Sequence, residues 1–287
     1  MQTLTRGELD CVEIHHRGQR LVIADQGAQV LEYQRDGEPP LIWLSDQEGY
    51  RPGQSVRGGV PVCWPWFGAL TRNPATLQAQ YSLSDPPAHG LVRGLPWQRI
   101  RQHQDDQRVQ LVYRPASCAA LPAVPTLTVT LDDALTLSLH NHNPGSSPVW
   151  ISQALHSYFA VGDIHRVSVQ GLDGCPYVDA MDDWQRHTQD AALTFKGETD
   201  RLYLSLPNQL HIDDARWQRR ISLSVSGSRS AVIWNPWVDK SRRLSQFADN
   251  AWQGMLCIET ARVLEDALCL APGEQHEMAV RFVTEAL

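Results

Sequence analysis

Apolar positions along the chain recur with a period of two far more often than with a period of 3.6. Leu127, Val129 and Leu131 alternate with threonines, Asp132-Asp133-Ala134 follows as a short turn, and Leu135, Leu137 and Leu139 then alternate with Thr136 and Ser138. That alternation predicts a β-hairpin with one buried face. Ile221, Leu223 and Val225 alternate with serines ahead of a Ser226-Gly227-Ser228 turn, and Met278, Val280 and Phe282 do the same after Pro272-Gly273. Residues 21–23 and 30–33 predict short strands around Gly27. Turn signals recur at Gly37, Gly53, Asn143-Pro144-Gly145, Gly162-Asp163, Gly171, Gly174 and Pro207-Asn208. Helical pattern is scarce; residues 245–252 suggest one or two turns. Many short strands at near-regular spacing predict an all-β fold, a sandwich or barrel. No linker, repeat or low-complexity tract divides the chain, so one domain over residues 1–287 is expected.

Composition narrows the function classes. The 287 residues are 42% hydrophobic and 20% charged, an ordinary globular balance. The net charge is −7 and no basic run stands out, which argues against a nucleic-acid partner. An acidic chain that binds an anion must concentrate cations locally, so individual arginines carry information here. The six cysteines are dispersed, without a CxxC pair or zinc-ligand spacing, and the N-terminal residues lack an apolar leader. Free thiols and a cytoplasmic location are therefore expected. No run approaches the length of a membrane-spanning helix.

Several stretches carry candidate chemistry. Arg57-Gly-Gly-Val-Pro-Val-Cys-Trp-Pro-Trp-Phe-Gly68 sets one cation beside two glycines and a Pro/aromatic cluster. Pro61 and Pro65 exclude a central strand. Trp64, Trp66 and Phe67 offer a stiff apolar wall, either for a ligand or for a structural corner. His89-Gly-Leu-Val-Arg93 places a histidine and an arginine around a turn, and Arg93 can join Arg57 on an anion, because the guanidinium fork matches two oxygens at once. His156, inside Ala154-Leu-His-Ser-Tyr-Phe159, is either a satisfied core imidazole or a proton donor at a site. Glu259, inside Met255-Leu-Cys-Ile-Glu-Thr-Ala261, is a carboxylate in an apolar strand and calls for a partner: an arginine, a backbone group or a substrate hydroxyl. Asp200 opens a strand and can accept sugar hydroxyls or pair with Arg201. Trp234-Asn-Pro-Trp237 turns at Asn-Pro and brings Lys240 as a further cation. Trp43, Trp97 and Trp150 read as core packing. There is no phosphate-cradling glycine loop opening a helix, no GxSxG elbow and no HExxH.

Taken in order, RGGVPVCWPWFG, HGLVRGLPW, ALHSYF, TDRLY, WNPW and the Glu of CIE resemble the hexose-6-phosphate mutarotases (glucose-6-phosphate 1-epimerases), a branch of the aldose 1-epimerase, or galactose mutarotase, superfamily. The resemblance runs from about residue 20 to about residue 283. It implies a large antiparallel β-supersandwich and interconversion of the anomers of a hexose 6-phosphate without cofactor or metal. It implies His156 as general acid and Glu259 as general base. It also implies His89 at the ring oxygen or sugar, Asp200 on sugar hydroxyls, and Arg57 and Arg93 on the phosphate. Lys240 is a weaker correspondence. The implied partner is a small hexose phosphate, not a membrane or nucleic acid, and the implied state a monomer or weak homodimer. One departure stands out: Thr260 follows the glutamate where the family pattern has proline. Two other readings remain, a mutarotase for unphosphorylated aldoses and a sugar-binding module without catalysis.

Overall fold

The computed structural model describes residues 1–118 and 121–287. Among them, strands dominate and pair antiparallel in two large sheets. The first sheet has nine strands in the order Leu193–Thr194, Val167–Gln170, Gln209–Asp214, Arg219–Ser226, Gln275–Ala286, Leu135–His142, Val124–Leu131, Val109–Pro115 and Trp97–Gln104. The second has seven, in the order Gln185–Thr188, Pro176–Asp179, Thr199–Leu204, Ser230–Asn235, Met255–Arg262, Gln153–Ala160 and Val62–Cys63. A four-stranded meander, Gln2–Arg6, Leu9–His16, Gln19–Ala24 and Val30–Arg35, completes the N-terminal part. The architecture is the all-β sandwich that the alternation predicts.

The predicted hairpin closes with Leu131 opposite Leu135 and Leu127 opposite Leu139. Its leucines and valines alternate buried against half-buried threonines and serines, as a strand with one core face requires. The main core lies between the two large sheets, where Phe159 meets Phe282 edge-on at 5.4 Å between ring centres. The seven-stranded sheet also buries its other face. Cys63, Ala154, Val178, Leu202, Val232 and Ala261 form a second apolar cluster there, with Phe67 and Trp184 packed against it. Covering both faces leaves every position of the Gln153–Ala160 strand buried.

Two expectations shift. Residues 245–252 do not form a helix, because Gln246 takes a φ of 56° and interrupts it; a 3₁₀ turn starts later, at Ala251–Gly254, and a short helix forms instead at Trp237–Ser241. Trp97 joins the core, whereas Trp43 and Trp150 are half-buried and pack against core clusters from their margins. As expected, Pro61 and Pro65 keep their stretch out of a central strand: Val62–Cys63 forms only an edge strand on Gln153–Ala160, and Trp64 adds one isolated bridge to Gly90. The six cysteines are all unpaired. Among the described residues no helix is long and apolar enough to cross a membrane.

Candidate active site

Strand register builds the site. Adjacent antiparallel strands set residues in lateral rows, and alternate residues of one strand share a face. One row runs from His156 to Glu259, then to Val232, Leu202 and Val178. The next runs from Tyr158 to Cys257, Trp234 and Asp200. His156, Tyr158, Glu259, Val232, Trp234, Leu202 and Asp200 all line one cavity of about 410 Å³. Thr260, where the resemblance leads one to expect proline, pairs with Leu155 and Ala231, so the glutamate strand runs on without a break.

The rim comes from the two glycine-rich stretches, which lie side by side. Trp64 bridges to Gly90, and the Leu91 amide donates to the Trp64 carbonyl at 2.7 Å. Both approaches exclude side chains. A Cβ on Gly59 would stand 2.3 Å from the Val30 carbonyl oxygen, and one on Gly90 would stand 2.0 Å from that of Trp64. These glycines fix Arg57 and His89 at the cavity wall. Trp64 and Trp66 point away into packing, with indole N–H groups donating to Asn141 Oδ1 at 2.8 Å and to the Pro87 carbonyl at 2.9 Å. Of the three aromatics only Phe67 reaches the cavity, edge-on to His89.

The chemistry concentrates in one pair. His156 Nε2 lies 3.3 Å from Glu259 Oε1. Both residues are almost fully buried, at 7% and 2% exposure, and His156 Nδ1 and Glu259 Oε2 have no partner among the described residues. Burial pushes Glu259 well above the usual carboxylate range, with the Asp200 charge adding to it, while Arg93 pulls the other way. Burial pushes His156 well below its ordinary value, helped by His89 and Arg93. Each group thus prefers its neutral form, and the pair holds one proton between two acceptors. The His156 ring stacks on Tyr158 at 4.7 Å and 8°, and presents its edge toward Trp234, so its orientation is set by aromatic neighbours.

His89 is lowered to about 3 by burial and by the charges of Arg93 and Arg57. Its Nδ1 accepts from the Gly68 amide at 3.4 Å, which leaves the neutral ring with its proton on Nε2 as a donor. Asp200 is raised to about 6 by burial, against the opposing charge of Lys240.

Of the residues singled out from sequence, the cavity brings together Arg57, His89, His156, Asp200, Glu259, Lys240 and Trp234. Arg93 is not among the lining residues; its guanidinium donates to the Ala88 carbonyl at 2.7 Å, and its charge acts on both His156 and Glu259. Tyr158, Arg72, Asn73 and Trp184 line the cavity without having been singled out. Tyr158 was findable, because it sits two positions after His156 and period two puts both on one face. Arg72 and Trp184 arrive through loops that no periodicity marks.

The family model described as aldose 1-epimerase matches residues 10–283. A protein of Escherichia coli (strain K12) named "putative glucose-6-phosphate 1-epimerase" is 34% identical over 263 residues, covering 90% of this chain and 85% of that one. A protein of Salmonella typhimurium with the same name is 34% identical over 258 residues, covering 88% and 83%. The crystal structure of a "putative mutarotase (YeaD)" from Salmonella typhimurium has a TM-score of 0.88 at 27% identity, with 99% of this chain and 93% of that chain covered.

Proposed function

Because this chain belongs to the aldose 1-epimerase family and is an epimerase of that fold, we propose that it interconverts the α and β anomers of hexose 6-phosphates, with glucose 6-phosphate as the first candidate. The observation that carries the reading is the buried His156–Glu259 pair in a cavity that Arg57 also lines. The curated relatives' names point to the same substrate.

Ring opening needs one base at the C1 hydroxyl and one acid at the ring oxygen, and these two oxygens share a carbon. Two groups 3.3 Å apart suit that geometry. Glu259 as carboxylate takes the C1 hydroxyl proton while protonated His156 gives one to the ring oxygen. The C1–O5 bond breaks, the C1–C2 bond rotates, and reclosure on the other face of the aldehyde returns each proton. Burial places the pair's proton on Glu259 before substrate arrives. One transfer across the gap converts that form into the reactive one. Acid and base groups positioned in this way contribute roughly 10²–10⁴-fold. Asp200 accepts from sugar hydroxyls, and neutral His89 donates from Nε2. Arg57 holds the phosphate, whose binding energy orients the distant reacting carbon.

Selectivity tests the substrate. A charge-assisted contact to the phosphate contributes about 1.5–3 kcal/mol, or about 10- to 100-fold in kcat/KM for glucose 6-phosphate over glucose. Arg57→Gln should reduce that ratio about tenfold or more. A wild-type ratio near one would instead favour a mutarotase of unphosphorylated aldoses.

A further inference from the structure

Arg72 ends the short 3₁₀ segment Leu70–Arg72 and lines the cavity mouth. Its guanidinium carbon sits 4.5 Å from the centre of the Trp184 ring, which lines the same mouth from the turn between Pro176–Asp179 and Gln185–Thr188. Among the described residues the Arg72 side chain has no hydrogen bond and no carboxylate partner. Glu265, on the outer side of this rim, is taken by Arg186. The other cations near the site are engaged differently: Lys240 is opposed by Asp200, and Arg93 is tied to the Ala88 carbonyl outside the cavity lining.

The support beneath Arg72 is specific. Asn73 is buried, and its Nδ2 donates to the carbonyls of Phe67 at 2.9 Å and Ala69 at 3.0 Å, closing the loop on itself. Gln78 Nε2 caps the Asn73 carbonyl at 2.6 Å. On the other side, the Trp184 amide donates to the Asp179 carbonyl at 3.0 Å, and its φ is 61°. Two loops far apart in sequence are therefore held so that a guanidinium without a carboxylate partner among the described residues sits over an indole ring beside the cavity. A cation–π contact engages the charge without consuming the N–H donors, which stay available to a pair of anionic oxygens.

We infer that Arg72, held by Trp184, is a specificity-determining residue that donates to the phosphoryl oxygens of the substrate, opposite the sugar's reacting end. The inference rests on the phosphosugar reading above. It assigns the discrimination between phosphorylated and free sugars to a pair of loops, with Arg57 as the inner contact and Arg72 as the outer one. Trp184 acts through Arg72 and is a positioning residue.

The test is steady-state anomerisation of glucose 6-phosphate and of glucose by wild type, Arg72→Gln, Arg72→Lys and Trp184→Leu, with thermal melting to verify folding. Loss of one charge-assisted contact should raise KM for glucose 6-phosphate about tenfold in Arg72→Gln while kcat changes less than about twofold. Glucose kinetics should stay at wild-type values. Arg72→Lys should recover part of the loss, and Trp184→Leu should shift the same KM in the same direction by a smaller factor. A wild type that prefers glucose 6-phosphate, with an Arg72→Gln variant that keeps that KM or weakens both sugars alike, overturns the inference alone. A wild type without that preference overturns the phosphosugar reading and this inference with it.

Discussion

His156 and Glu259 are direct cross-strand partners, with Nε2 and Oε1 3.3 Å apart and, among the described residues, no hydrogen-bond partner for the other carboxylate oxygen and ring nitrogen. Two groups that share one proton act as a unit. Glu259→Gln and His156→Gln should each reduce anomer exchange by about 10²–10⁴-fold. The double variant should fall little below the worse single one, because the second loss removes a group already without its partner. Exchange rates of the three variants, measured in parallel, read this directly; losses that multiply would mean two independent groups.

Asp200 is a carboxylate kept at the cost of stability. Its proton is held to about pH 6 in the folded chain against an ordinary value of 3.8. A folded-state pKa above the unfolded one gives stability that is complete below pH 3.8 and lost as pH rises through about 6. The loss is at most about 3 kcal/mol, two units at about 1.36 kcal/mol each, and less with solvent access. Asp200→Asn should therefore raise the melting temperature at pH 8 and leave it near wild type at pH 3.5, while weakening sugar binding. Melting curves at the two pH values check both signs.

Arg93 acts on the His156–Glu259 pair through its charge. Its field lowers both Glu259 and His156 from outside the cavity lining. Arg93→Met should move both limbs of the pH–rate profile to higher pH, since removing a cation favours the protonated form of each group. A variant that changed KM for glucose 6-phosphate with an unmoved pH profile would make Arg93 a substrate contact instead.

The parts of the site carried by strands were the parts legible in sequence. His156, Glu259 and Asp200 stand out as polar residues in apolar alternation, and Arg57 and His89 beside glycines whose close approaches the structure displays. Which of them share a face, and which lie opposite one another, follows from pairing register, and a single strand does not encode its partner. Arg93 illustrates the limit: four residues from His89, it points to a backbone carbonyl and not into the cavity. Arg72 and Trp184 meet only through loop closure across more than a hundred residues, a relationship with no local pattern. The edge strand Trp97–Gln104 was equally hidden, because seven of its eight positions are exposed and no alternation marks it.

The most direct measurement is magnetisation transfer between the α and β anomers of glucose 6-phosphate at equilibrium, with wild type and Glu259→Gln at matched concentration. The account predicts exchange well above the spontaneous rate for wild type and a drop of about 10²-fold or more for the variant. A wild type at the spontaneous rate, or a Glu259→Gln variant as fast as wild type, would contradict it.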